Sequence, residues 1–65
     1  MEAYQKRVVE EKKELDEKLE KLIVFLDSDK FDRLPPEEQD RMSRQQEVME
    51  EYSDILGERI AAFGG

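Results

Sequence analysis

The sequence predicts an all-α fold, an antiparallel two-helix hairpin that assembles into a homo-oligomeric helical bundle. No Gly or Pro occurs in residues 1–27, where the good helix formers Glu, Lys and Leu dominate. Apolar residues recur at heptad spacing on both sides of a single Leu34-Pro35-Pro36 break, which a continuous helix cannot cross. With 65 residues, the chain is expected to form one domain over 1–65.

The first helix is expected over about 2–27. With Met1 at position a of a heptad, the a positions are all apolar, and the e positions add Leu19 and Leu26 near the end of the helix. The four a positions are Met1, Val8, Leu15 and Leu22. This stripe predicts the face that packs against the second helix.

An elbow over 28–35 and a second helix over about 36–63 follow. Ser28-Asp29 can start a short turn, and Pro36 suits a first helical position. Glu37, Glu38 and Asp40 place negative charge at the positive end of the helix dipole. We expect Gly64-Gly65, either native or left by cloning, to stop this helix.

If the two helices pack antiparallel across this elbow, the numbers of two residues that face each other sum to about 63. Val8 then lies near Ile55 and Leu56, and Leu15 near Val48 and Met49; Leu22 lies near Arg41 and Met42. Because so thin a hairpin buries little apolar surface, we expect oligomerisation to support it. The predicted subunit seam comprises Val9, Ile23, Val24, Val48 and Ile55.

Composition excludes several classes of function. The 18 acidic and 11 basic residues leave a net charge of −7, which disfavours binding to long nucleic acids or anionic membranes. Without Cys or His, Ser-His-Asp and Cys-His catalysis and thiolate metal sites are excluded. We expect no enzyme, no metal site and no cofactor. With no signal peptide and no membrane-length apolar run, we expect a cytosolic protein.

The heptad d positions carry polar residues where a simple coiled coil has Leu. Helix 1 has Tyr4, Glu11, Lys18 and Phe25 there, and helix 2 has Gln45, Tyr52 and Arg59. The register above pairs Tyr4 with Arg59, Glu11 with Tyr52 and Lys18 with Gln45. Two interpretations remain open: these contacts set the register of the helices, or they line a crevice for a small phosphorylated ligand.

The sequence also resembles a family of short phage and prophage proteins that includes a small protein of crAss-like phages. The resemblance covers nearly the whole chain. It is carried by Tyr4-Gln5-x-Arg7-Val8-Val9-x-Glu11-Lys12-x-x-Leu15-Asp16-x-Lys18-x-x-Lys21-Leu22, by Phe31, Leu34-Pro35 and Glu38-Gln39, and by Arg44-Gln45-x-x-x-Met49-x-x-Tyr52-Ser53-x-x-Leu56-x-x-Arg59-Ile60. It implies a viral protein that acts in the cytoplasm of the host bacterium.

Small phage proteins of this size often neutralise bacterial defences. Some helical hairpins, such as the anti-CBASS sponges, are oligomers that sequester a nucleotide signal; the analogy is at the level of the fold. It implies that this chain sequesters a cyclic nucleotide or ADP-ribose-type signal without cleaving it. Tyr4 and Tyr52 would stack on bases and Gln45 would read a base or ribose edge. The phosphate-binding candidates are Arg7, Lys18, Arg44 and Arg59.

A second function remains open. The chain could be an inhibitor or adaptor that docks on a host protein through its acidic or apolar helix faces. A minor component of the phage particle is a third possibility, for which the sequence contains no specific sign.

Overall fold

The computed structural model describes residues 1–64 and contains three helices. Helix α1 spans Ala3–Leu26, helix α2 is a single turn at Asp29–Asp32, and helix α3 spans Pro36–Phe63. The prediction of an all-α chain of two long helices is confirmed, and no strand occurs in the described residues. The short turn expected inside the elbow is α2.

The ends of the helices follow from local chemistry. The backbone N–H of Glu2 donates to Oε1 of Gln5 at 2.7 Å, which satisfies one donor before α1. Pro36 occupies the first position of α3, as its missing N–H favours. Gly64 follows α3 with φ −83°, so the helix ends without a left-handed residue there. Gly65, the second residue of the predicted stop, lies outside the described residues.

The elbow is held by the side-chain amide of Gln39. Its Nε2 donates to the carbonyl oxygens of Phe31 at 3.1 Å and Leu34 at 3.0 Å, and the Phe31 oxygen also accepts from the backbone N–H of Leu34. The ring of Phe31 packs edge-to-face on Phe25, with centroids 6.4 Å apart. These contacts join both ends of the elbow to the long helices and set the direction in which α3 returns.

Helices α1 and α3 run antiparallel and form one thin layer. Tyr4 near the start of α1 packs on Phe63 at the end of α3, with ring centroids 5.7 Å apart. Leu56 is fully buried and Val8 is 5% exposed, which places the centre of the core where the heptads predict it. The molecule measures 46 × 14 × 14 Å, and its radius of gyration of 14.8 Å exceeds the roughly 11 Å of a compact chain of this length.

The rest of the predicted core is only partly covered. Leu15, Leu22, Met42 and Met49 are half-buried, whereas Val48 and Ile55 are exposed. Val48 and Ile55 therefore contribute little to the contact between α1 and α3. Burial this shallow is the physical reason to expect a partner, and the homo-oligomer stays a prediction.

Candidate functional site

Two contacts define the two edges of the helix pair. The Tyr52 hydroxyl donates to Oε2 of Glu11, and Lys12 Nζ donates to Ser53 Oγ at 2.7 Å. Neighbouring residues on a helix point about 100° apart, so these two contacts lie on opposite sides of the line through Val8 and Leu56. We call the side with the contact between Tyr52 and Glu11 the tyrosine edge, and the side with the contact between Lys12 and Ser53 the serine edge.

The tyrosine edge continues at heptad spacing along both helices. Positions seven residues apart share a face, so Tyr4 and Lys18 lie on the same side of α1 as Glu11. Gln45 and Arg59 likewise share a side of α3 with Tyr52. The tyrosine edge therefore comprises Tyr4, Glu11, Lys18, Gln45, Tyr52 and Arg59, all of which are exposed.

Of the three predicted pairs on this edge, Glu11 with Tyr52 is present as a hydrogen bond. The ring of Tyr4 contacts Phe63, one helical turn beyond its expected partner Arg59. The side-chain amide of Gln45 donates to Sδ of Met49 at 3.8 Å on its own helix, and within residues 1–64 no hydrogen bond joins Lys18 to Gln45. The numbers of contacting residues sum to 63 for Glu11 with Tyr52, to 65 for Lys12 with Ser53 and to 67 for Tyr4 with Phe63, because a side chain reaches up to one turn along the partner helix.

Two further candidates lie at the rim of the tyrosine edge. Arg7 is exposed on α1, one turn from Tyr4 and Glu11. Arg44 lies farther around α3, where its Nε forms an ion pair with Oδ2 of Asp40 at 3.0 Å. Six of the seven candidate residues thus share one side of the molecule, and Arg44 reaches it from the rim. A shallow groove there is lined by Arg41, Arg44, Gln45, Val48 and Met49.

The charge of this side differs from that of the whole chain. Two adjacent heptad lanes of α3 face it, and neither contains an acidic residue between 41 and 63. The first lane comprises Arg41, Val48, Ile55 and Ala62. The second comprises Gln45, Tyr52 and Arg59. Glu11 is the acid within the edge, and its carboxylate accepts the tyrosine hydrogen bond. A net charge of −7 is therefore compatible with a locally basic surface.

The serine edge contains a closed polar network that the heptad pattern did not reveal. Lys12 Nζ donates to Oδ2 of Asp16 at 3.0 Å as well as to Ser53, and the Ser53 hydroxyl donates to Oδ1 of Asp16. The hydrogen bond from Ser53, and then the one from Lys12, hold the pKa of Asp16 below its ordinary value. A Cβ added at Gly57 would lie 3.6 Å from Cε of Lys12, an ordinary van der Waals contact, so the lysine chain has room beside α3 even without a glycine there.

This network is a structural lock rather than a nucleophile site. Ser53 is 7% exposed, its proton is directed to a carboxylate, and its oxygen accepts from an ammonium group. A substrate therefore has no access to an activated hydroxyl. The sequence signal was a small polar residue in the core lane between Met49 and Leu56, facing an i to i+4 lysine and aspartate.

The residues of the predicted subunit seam are all exposed, but they do not form one stripe. By helical spacing, Val9 and Ile23 lie towards the serine edge, and Val24 points away from the core. Val48 and Ile55, 65% and 46% exposed, lie towards the tyrosine edge. The molecule therefore presents separate apolar patches, one of which borders the candidate ligand residues.

Comparison with known proteins assigns the chain to a family. The model of the Sequestin family matches residues 2–62, which cover α1, the elbow and all of α3 except Phe63. The chain belongs to the Sequestin family. The family name suggests that its members sequester some molecule, which is a non-catalytic role. All seven candidate residues lie inside the Sequestin match.

The Sequestin assignment rests on that match alone. No curated protein and no solved structure matches the chain. Within residues 1–64, neither long helix of this Sequestin-family chain has a segment apolar enough to cross a membrane.

Proposed function

We propose that this Sequestin-family chain is a phage counter-defence protein that works in the cytoplasm of the host bacterium. It binds and sequesters a small phosphorylated immune signal, a cyclic nucleotide or an ADP-ribose-type molecule, without cleaving it. The family name supports sequestration. The observation that carries the choice of ligand is the tyrosine edge, where two exposed aromatic rings lie beside basic side chains on an otherwise acidic molecule.

The two tyrosines supply faces on which bases stack. Tyr52 is 40% exposed, and its hydroxyl is held by Glu11. Tyr4 is 55% exposed, and its ring is held edge-to-face by Phe63. Because both rings are already positioned, a stacked base costs less side-chain entropy than it would on a free tyrosine. Stacking on such rings typically contributes about 1–3 kcal/mol per base.

The basic side chains supply the contacts to phosphate. Lys18 and Arg59 lie on the tyrosine edge itself, and no ion pair within residues 1–64 involves either of them. Arg7 can add a third cation from the rim of α1. Arg44 is paired with Asp40, so it binds phosphate only after that exposed ion pair opens, which costs little in water. The amide of Gln45 can then read a base or ribose edge.

Titration calorimetry with cyclic dinucleotides, cyclic trinucleotides and cyclic ADP-ribose isomers tests this proposal. We expect one class of ligand to bind, and mass spectrometry of the recovered ligand to show it intact. Tyr52→Ala should weaken binding by about 5- to 150-fold, the equivalent of one lost stack. Tyr52→Phe keeps the ring and loses only the bond to Glu11, so it is the matched control and should stay within a few fold. No binding by any of these ligands would refute the proposal.

A further inference from the structure

One apolar lane of α3 has no partner in the hairpin. Val48 and Ile55, two of the more exposed apolar side chains of the molecule, lie seven residues apart. Arg41 and Ala62 continue the lane at the same spacing. Val48 and Ile55 point about 80° and 100° around α3 from fully buried Leu56, and their exposures of 65% and 46% show that α1 does not cover them. Its apolar middle is short and straight, which suits a second helix.

A second copy of α3, packed antiparallel, complements this lane. In an antiparallel pair related by a two-fold axis each lane faces its own counterpart. With opposed numbers that sum to about 103, Val48 of each copy meets Ile55 of the other. On one side of this lane, Arg44 then meets Glu58 of the second copy, and Glu51 meets Glu51 of the second copy near the two-fold axis. On the other side, Tyr52 meets Tyr52 of the second copy.

Other registers fit less well. A shift that makes the sum about 110 brings Glu51 against Glu58 twice, and like charges in contact are destabilising. A shift that makes the sum about 96 keeps Val48 against its own counterpart but places Arg41 against Ile55 twice, so both copies of Ile55 lose their apolar partner. The register near 103 matches both apolar residues and forms two pairs of opposite charge, at the cost of one contact between the two Glu51 side chains.

This pairing also resolves a problem of distance in the ligand site. Within one chain Gln45 and Arg59 are 14 residues apart on the same helix, which is about 21 Å along its axis. That separation is too large for both to hold the phosphate and ribose of one nucleotide. In the antiparallel pair Gln45 lies opposite Arg59 of the second copy, because these numbers sum to 104. Lys18 of α1 belongs to the same tyrosine edge as Gln45. It therefore borders the place where Gln45 of one copy meets Arg59 of the other.

We propose that a second copy of the chain covers the Val48 and Ile55 lane, and that the nucleotide site is shared between copies. Lys18 and Gln45 of one copy and Arg59 of the other hold each ligand. The dimer has two such sites on either side of the paired Tyr52 rings. The interface stands on the geometry of α3, whereas the shared site rests on the proposed function above.

Disulfide trapping tests the interface without any ligand. The chain has no cysteine, so single substitutions are clean probes. Residues next to the two-fold axis of a close helix pair come within the 4.4–6.8 Å between Cα atoms that a disulfide spans. Glu51→Cys should therefore form a covalent dimer under mild oxidation. Asp54→Cys, one turn along on the outer face, is the matched control and should stay largely uncoupled. Equal yields from both would overturn the interface.

Mixing two charge-reversal variants tests the shared site. Lys18→Glu and Arg59→Glu should each abolish binding of the nucleotide found by calorimetry. In an equal mixture half of the dimers are mixed and one of their two sites is intact, so about a quarter of the wild-type sites should return. No recovery would overturn the shared site. Absence of binding by the wild type refutes the proposed function instead, and the trapping result then still decides the interface.

Discussion

Removal of the Ser53 hydroxyl should destabilise the hairpin although it deletes a single atom. Ser53→Ala removes the hydrogen bond accepted from Lys12 and the one donated to Asp16. Hydrogen bonds to charged groups are typically worth about 1.5–3 kcal/mol each. Because the side chains of Lys12 and Asp16 are 31% and 45% exposed, water replaces part of what they lose. We therefore expect a net cost of about 1–2 kcal/mol for the pair.

The matched control is Ser43→Ala, an exposed site in the interior of the same helix. Both substitutions gain the same helix propensity, about 0.5 kcal/mol, so the difference between the variants isolates the hydrogen bonds. Thermal and urea unfolding, followed by circular dichroism at one fixed protein concentration, measure it. A cost of 1–2 kcal/mol corresponds to a melting temperature lower by about 4–16 °C in a domain of this size.

The same variants predict a dependence on pH. The folded state lowers the pKa of Asp16, so its contribution to stability is fully present above the unfolded pKa of about 3.9. It is lost as the pH falls through the lower folded pKa. The difference between Ser53→Ala and Ser43→Ala should therefore shrink below about pH 3.9. Equal stability of the two variants at pH 7 would show that the network holds nothing together.

Three further substitutions probe the rest of the fold. Leu56→Ala should cost about 2–5 kcal/mol in urea unfolding because Leu56 is fully buried, whereas Leu56→Met should cost less than about 1.5 kcal/mol; similar losses would contradict its place in the core. Gly57→Ala should raise the melting temperature, since the new methyl meets Lys12 Cε at ordinary contact distance and helix propensity improves by up to about 1 kcal/mol; a decrease would mean that the lysine chain cannot shift. Gln39→Ala should speed amide hydrogen exchange over residues 28–35 while the centres of α1 and α3 stay protected, because the elbow carbonyls lose the side-chain donor that joins them to α3; uniform faster exchange would contradict this local role.

The elements of the fold were predictable because their signals are local. An uninterrupted run of helix formers, apolar residues at heptad spacing and a proline pair together predict two helices and a break. Helix α3 spans Pro36–Phe63, which is the range expected from the position of Pro36 and the last apolar residue. The pairing of Glu11 with Tyr52 was also predicted, because a short elbow fixes which residues of two antiparallel helices face each other.

The candidate site was less predictable. Heptad spacing places five of the seven candidate ligand residues on the tyrosine edge. It does not reveal the network of Lys12, Asp16 and Ser53, because that network depends on which side of the line through Val8 and Leu56 each residue faces. A step of one residue changes that direction by about 100°. The contact of Tyr4 with Phe63 rather than Arg59 needed the tertiary structure, because it depends on which way along α3 the tyrosine ring points.

By itself, the sequence determined the helices, the elbow and the exclusion of histidine and cysteine chemistry, since these depend on local propensity and on which residue types are present. Only the tertiary structure decided that Ser53 is buried in an ion-linked network, that Val48 and Ile55 are left uncovered, and that the basic candidates share one side of an acidic molecule. The physical reason is that helix formation is set within a few residues. The faces of two helices that meet are set by packing over their whole length.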